Sequence, residues 1–194
     1  MLSQEVLLKS YRMQVLGVDF QTTVAGSLGL RGEIAYRKPH GDYETSIHTP
    51  NPDLQYVLGI DKEFSGSFSL ILQYIGRIVF DFKELQLPQS AVERAKYVIE
   101  SKNRLITSQQ YEVSHSLSWR AEQNLLHETL KIELLGLFNM TSEELFLRPK
   151  LTYHLTDAFT FILGAELFTG PEETLFGTID SALNSIFLEL NASF

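Results

Sequence analysis

One pattern constrains this chain more than any other: apolar side chains recur at every second position through most of its length. The pattern is clearest in residues 185–194, SIFLELNASF, where Ile186, Leu188 and Leu190 alternate with mostly polar residues. Successive side chains of a β-strand point to opposite faces. This segment therefore predicts a strand with one apolar face and one mostly polar face.

Similar alternation marks about nine segments. They are 14–23, 28–37, 53–61, 67–82, 110–120, 129–140, 144–155, 159–167 and 185–194. Short connections join many neighbouring segments, near 24–26, 62–66, 121–127, 141–142 and 156–157, whereas 38–52, 83–108 and 169–182 are longer. Short connections favour antiparallel neighbours. The sequence predicts an all-β fold with about 9–10 strands in antiparallel up-and-down order, the topology of a β-barrel or of the C-terminal portion of one.

One helix is expected in the long connection 83–108. Residues 90–104 have helical spacing, with an apolar stripe at Val92, Ala95, Val98 and Ile99. Two positions for this helix remain open. It lies on the outer surface, or it folds over the pore and narrows it with Arg94, Lys96 and Lys102.

Composition excludes several functional classes. The 194 residues carry a formal charge of −8 and no basic run, which argues against nucleic acid as a partner. Cysteine is absent, so disulfides, thiolate chemistry and cysteine metal sites are excluded. No cofactor, no metal and no enzymatic activity are predicted. No apolar run reaches the roughly 18 residues of a transmembrane helix, and the N-terminus lacks the pattern of a secretory signal.

Alternation by itself fits both a soluble lipocalin-like small-molecule carrier and a membrane barrel. Several segments reach the roughly 9–11 residues that a tilted strand needs to cross a bilayer. Aromatic residues that suit a membrane interface lie on the apolar side: Tyr36, Tyr56, Tyr74, Tyr111, Trp119 and Tyr153. The opposite side carries candidate pore-lining charges: Arg31, Glu33, Arg37, Arg77, Glu112, Arg120, Lys131, Glu133, Arg148, Lys150 and Glu166. We therefore expect the apolar side to face lipid.

The C-terminal third carries a family resemblance. The segments LFLRPKLTY (145–153), LTD (155–157), GAELF (164–168), GP (170–171) and FG (176–177) precede a strand that ends on Phe194. Their order and spacing resemble the end of porin-like or substrate-channel β-barrels of Gram-negative outer membranes. The resemblance implies a barrel-closing signal at Leu188, Leu190 and Phe194.

The resemblance also implies a function. A porin-like channel in the cell outer membrane would allow passive passage or export of a polar solute, with membrane lipid and the barrel-assembly machinery as partners. Bacterial single-chain barrels have an even number of strands, whereas this chain shows about nine. We therefore expect residues 1–194 to form a single but incomplete barrel domain, whose N-terminal strands and signal peptide are missing.

Other residues admit a chemical and a structural interpretation. His40, Asp42, Glu44 and His48 share one loop and are interpreted as a solvated loop rather than a cation site. His115 on the apolar side raises the alternative of an outer-membrane barrel hydrolase, which requires a serine within hydrogen-bond reach.

Pro149 lies within a predicted strand. Because proline has no backbone N–H to donate, it predicts a bulge or a locally open pair there.

Overall fold

A computed structural model of the protein describes residues 10–41, 49–64 and 66–193. This part of the chain forms nine β-strands and two helices. The strands are β1 (Met13–Val24), β2 (Leu28–Pro39), β3 (Asp53–Phe64), β4 (Phe68–Val79), β5 (Val113–Leu125), β6 (Leu130–Asn139), β7 (Glu144–His154), β8 (Phe159–Thr169) and β9 (Ser185–Ala192). The helices are α1 (Ala91–Thr107), between β4 and β5, and α2 (Leu175–Leu183), between β8 and β9.

The nine strands form one sheet in which each strand pairs with its neighbours in sequence, always antiparallel. The predicted up-and-down topology is confirmed. Tight turns near 25–27, 66–67, 126–129 and 155–158 lie at one end of the sheet, which we call the short-turn end. The β2–β3, β4–β5 and β8–β9 connections are long and, with the short β6–β7 turn, lie at the opposite end, called the long-connection end. Both helices therefore belong to the long-connection end.

Several predicted boundaries were wrong. Strand β4 ends at Val79 rather than at residue 82, because Asp81 adopts a left-handed backbone conformation (φ 53°) that breaks the extended chain. Strand β5 runs from Val113 to Leu125, not over 110–120, so Tyr111 and Glu112 precede it.

Helix α1 was predicted from the sequence, whereas the segment that forms α2 was predicted to be a loop. The side chain of Thr174 caps the N-terminus of α2 by accepting from the N–H of Gly177. A helix of nine residues with an internal glycine carries too short a periodic signal to be distinguished from a loop.

Pro149 opens the β7–β8 ladder without shifting it. Leu147 pairs with Leu167 and Lys150 pairs with Gly164, so the same register holds on both sides of the proline. The residues between them have no ladder partner assigned on β8. The prediction of a locally open pair is confirmed, and the alternative of a bulge is wrong.

The two faces of the sheet have unlike polarity. We call the face that carries Arg31, Asp61 and Glu133 the polar face, and the other the apolar face. Among the described strand residues, the exposed large hydrophobic side chains all lie on the apolar face except Val15 and Leu135. The arrangement is the inverse of that of a water-soluble protein.

Burial confirms this inversion. In the described residues, the large apolar side chains that are buried are Val79 and Leu105. Buried polar side chains are more numerous: Asp53, Gln109, Glu133, Ser142, Glu144 and Thr174. In β6, Ile132 and Leu134 are 42% and 38% exposed, whereas Glu133 between them is 8% exposed. The exposed side chains of β6 are therefore apolar, and the protected side chain between them is charged.

No helix among the described residues combines the length and the apolar character needed to cross a membrane.

The sheet has two free edges, β1 and β9. They stand at the two ends of the strand order, and no pairing joins them within the described residues. Nearly every residue of both strands is exposed, including Leu16 and Ile186. Because adjacent strands alternate in direction, β1 and β9 run the same way.

Aromatic rings on the apolar face rest on glycines of the neighbouring strand. Trp119 pairs with Gly136, and a Cβ added at that glycine would lie 2.1 Å from Cζ2 of the indole. Tyr56 covers Gly76 in the same way. Glycine at these positions lets large rings lie flat on the sheet.

We predict that Gly136→Ala destabilises the fold by about 1–3 kcal/mol, because the indole of Trp119 has to leave its place on β6. Trp119 is the only tryptophan of the chain, so its fluorescence during urea unfolding in lipid vesicles reports the change directly. Gly41→Ala is the matched control, since nothing lies within 4 Å of a Cβ at that position. Equal midpoints for the two variants would contradict the packing argument.

Candidate functional site: the polar face of the sheet

The polar face carries charged side chains that form ion pairs between neighbouring strands. Its centre is Glu133 on β6, whose carboxylate lies 2.9 Å from Arg120 on β5 and 2.6 Å from Lys150 on β7. Lys131 is 3.8 Å from the same carboxylate and 2.8 Å from Glu122. Glu133 and Lys150 occupy directly paired register positions. This cluster neutralises charges of both signs across three strands.

Further ion pairs flank the central cluster. Arg31 on β2 meets Asp61 on β3 at 2.6 Å, near the short-turn end. Arg148 on β7 meets Glu166 on β8 at 3.2 Å, opposite the opening at Pro149. These pairs are each about a third to a half exposed, so each contributes little stability on its own.

A second cluster lies at the long-connection end. Arg37 donates two hydrogen bonds to the carboxylate of Asp53, at 2.7 and 2.6 Å. Asp53 is fully buried and also accepts from Gln109 at 3.1 Å, while Nε of Arg77 lies 3.9 Å away. A fully buried carboxylate requires such partners, since burying an unpaired charge is costly.

The structure brings most of the predicted pore-lining residues together. Ten of them lie in strands on the polar face: Arg31, Glu33, Arg37, Arg77, Arg120, Lys131, Glu133, Arg148, Lys150 and Glu166. Glu112 differs because it precedes β5, beside Phe82 and Glu84 of the β4–β5 connection. Their role in lining a pore stays a prediction.

The predicted interface aromatics divide in a similar way. Tyr36, Tyr56, Tyr74, Trp119 and Tyr153 lie on the apolar face of the sheet. Tyr111 lies in the connection before β5, so the expectation that it belongs to a strand is wrong. Leu188 and Leu190 lie on the apolar face of β9 and are each 64% exposed. Phe194, the third residue of the predicted closing signal, lies outside the described residues.

Sequence reasoning missed Gln109 and the importance of Asp53. The alternation placed Asp53 on the polar side, but nothing in the pattern marks it as the most buried carboxylate. Gln109 belongs to a connection, and its amide donates to the backbone oxygen of Asn51 at 2.9 Å as well as to Asp53. A loop residue that contacts a position 56 residues away leaves no periodic signal.

The hydrolase alternative requires a serine beside His115. Nδ1 of His115 instead lies 2.6 Å from the hydroxyl of Tyr74, and the two rings are stacked at 5.7 Å. Ser114 and Ser116 lie on the opposite face. The geometry is that of an aromatic pair and not of a Ser–His couple.

The lipocalin-like alternative requires Leu70, Leu72, Ile132 and Phe161 around a dry interior. All of them lie on the apolar face instead, with Ile132 largely exposed. The cation alternative in the β2–β3 connection falls on Asp42, Glu44 and His48, which lie outside the described residues.

An antiparallel up-and-down sheet with an apolar outer face and an ion-paired polar face has the wall structure of transmembrane β-barrels. No family model and no curated protein matches the sequence. Among solved structures, the chain is similar to a KdgM porin, with a TM-score of 0.44 and 9% identity over 94% of this chain and 76% of that chain. It is also similar to a KdgM porin in complex with disordered oligogalacturonate, with a TM-score of 0.43 and 8% identity over 94% and 75% of the two chains.

We predict that Glu133→Ala destabilises the sheet by about 1–3 kcal/mol, because it leaves Arg120, Lys131 and Lys150 close together without their shared acceptor. The measurement is the urea midpoint of the protein folded in vesicles. Glu189→Ala, on the exposed edge strand β9, is the control that removes the same charge and should change little. A smaller loss for Glu133→Ala than for Glu189→Ala would be inconsistent with the cluster.

Proposed function

We propose that this protein forms the wall of a channel in the outer membrane of a Gram-negative cell, through which a polar solute passes by diffusion. The observation that carries the proposal is the inverted polarity of the sheet. Exposed leucine, isoleucine, valine and aromatic side chains cover one face, and paired charges cover the other.

The apolar face supports hydrocarbon as the outer solvent. Moving one leucine-sized side chain out of water is worth roughly 1.5–3 kcal/mol. The described strands expose many such side chains on the same face of the sheet, and clustered exposed hydrophobic side chains mark a contact surface for lipid or protein. Membrane lipid is therefore a proposed partner, and the aromatic residues of the apolar face are proposed to anchor it at the membrane interfaces.

The polar face supports a wet lumen. Its ion pairs are about a third to a half exposed on their cationic side, as expected for side chains in contact with water. Charges of both signs alternate across neighbouring strands, so the wall suits hydrated polar solutes. Catalysis has no part in this proposal.

Strand direction determines how the wall is closed. Strands β1 and β9 run in the same direction, so antiparallel closure needs an odd number of additional strands between them. The total is then even, as in bacterial single-chain barrels. Additional strands also widen the lumen, whereas barrels of about eight strands are filled by their own side chains. We propose that β1 and β9 pair with such strands, and that assembly in the membrane depends on the barrel-assembly machinery.

The test of the function is conductance. The protein, together with the strands that close its wall, should release small polar solutes from lipid vesicles and should produce discrete conductance steps in planar bilayers. A protein that inserts, resists protease and yet conducts nothing would refute the channel. Recovery of the folded protein in the aqueous phase after detergent partition would refute the membrane location.

Two substitutions at adjacent positions on β8 test which face of the sheet contacts lipid. Leu163 lies on the apolar face, whereas Ile162 lies on the polar face opposite Glu189. We predict that Leu163→Lys costs about 2–4 kcal/mol of folding free energy in vesicles, as for lysine on the lipid side of a barrel. Ile162→Lys is the matched control and should cost clearly less. Folding in vesicles measured by urea titration decides between them, and the reverse order would place water on the apolar face.

A further inference from the structure

We infer that α1 and α2 together form a fixed constriction over the polar face at the long-connection end, held by Arg77 and Glu144. The inference rests on the proposed function, because it names the part of the channel that limits solute size. The evidence is a pair of contacts between the sheet and the helices: Arg77 binds the C-terminus of α1, and Glu144 binds the N-terminus of α2.

Arg77 holds the C-terminus of α1. It lies on the polar face of β4, in register with Ser114. Its Nη1 donates to the backbone oxygens of Thr107 and Ser108, at 2.7 and 2.6 Å, where the helix ends. The last carbonyls of a helix have no partner within the helix and carry partial negative charge. A guanidinium at this point satisfies two of them at once.

Glu144 holds the N-terminus of α2. It is the first residue of β7 and lies on the polar face, in register with Asn139. One carboxylate oxygen accepts from the backbone N–H of Phe176 at 2.7 Å, and the other accepts from the hydroxyl of Ser142 at 2.5 Å. The first N–H groups of a helix are unpaired and carry partial positive charge. Glu144 is 6% exposed, and each of its two carboxylate oxygens accepts a hydrogen bond.

An aromatic cluster fixes α2 on the polar side of the wall. Phe146 and Phe168 are register partners on the polar face, with ring centroids 4.7 Å apart. Phe176 of α2 meets Phe168 edge-to-face at 5.4 Å. The three rings therefore pack the N-terminal part of α2 against β7 and β8 on the polar face.

The two helices meet across one cleft. The amide of Gln110, just after α1, donates to the backbone oxygen of Glu173, just before α2, at 3.2 Å. The cleft has a volume of about 230 Å³ and is lined by Gln55, Arg77, Ser114, Glu144 and Phe176, among others. Leu105 and Ser108 at the end of α1 and Leu175 at the start of α2 also line it, so the two helix ends lie over the polar face and occupy space that the sheet alone would leave open.

The experiment loosens each helix separately and measures the size of the opening. Glu144→Ala and Phe176→Ala release α2, and Arg77→Gln releases α1. Each variant, folded in planar bilayers and vesicles, should show a higher single-channel conductance and lose the exclusion of larger neutral polyethylene glycols that the parent shows. Glu63→Gln is the control for the loss of a carboxylate and Lys62→Gln is the control for the loss of a cation, since both side chains are exposed and lie at the short-turn end of β3, away from the cleft. They should keep the parent size limit.

A second measurement does not depend on conductance. The chain contains no cysteine, so a single introduced cysteine is a specific reporter. Ser114→Cys lies in the cleft, whereas Ser69→Cys lies on the polar face of β4 near the short-turn end. In vesicles, the Ser114→Cys variant should react with a small thiosulfonate but not with a bulky polyethylene-glycol maleimide. Adding Glu144→Ala to this variant should allow the bulky reagent to react. The same added substitution should leave the labelling at 69 unchanged.

These outcomes separate the two proposals. A parent protein that fails to conduct would refute the channel, and the labelling pattern would still decide whether α2 covers the cleft. A conducting parent whose size limit and labelling at 114 are the same in all helix variants would overturn the constriction. Because the three variants act on different contacts, misfolding of one leaves the others to decide.

Discussion

Strand pairing with a strict period of two is the constraint on which the whole structure depends. Each of the eight strand pairs keeps one register over its length, so every side chain has one assigned face. A slip of one residue would move Glu133 and Lys150 onto the apolar face and Ile132 onto the polar one. The ion pairs and the exposed aliphatic surface are two consequences of the same register.

The polar face combines two tasks that use the same kind of residue. In the middle of the sheet, Arg120, Glu133 and Lys150 neutralise one another and leave a hydrated wall. At the long-connection end, Arg77 and Glu144 are turned toward the backbone of helices. The difference lies in which partner is close: a side chain on the next strand, or a helix end with unpaired backbone groups. In the proposed channel, charge on this face therefore both lines the lumen and fixes the helices at its opening.

The edge strands of the sheet are as two-faced as its central strands. Strands β1 and β9 keep the same two-faced pattern as the central strands, with Leu16 and Leu188 on the apolar face. Neither strand has a charged residue on the apolar face, whereas soluble proteins often place such charges on edge strands to prevent edge pairing. In this respect the two edge strands resemble the central strands of the sheet.

The sequence by itself determined the strands, their antiparallel order and the polarity of each face, because these follow from local alternation and short turns. At Pro149 it predicted a bulge or an open pair, and the structure decided for the open pair. The sequence also identified α1 and most of the charged wall. Only the tertiary structure decided where the helices go. The contacts of Gln109 with Asp53, and of Glu144 with the N-terminus of α2, join residues far apart in sequence. Such contacts leave no periodic signal in the sequence, because they depend on how the connections fold back over the sheet.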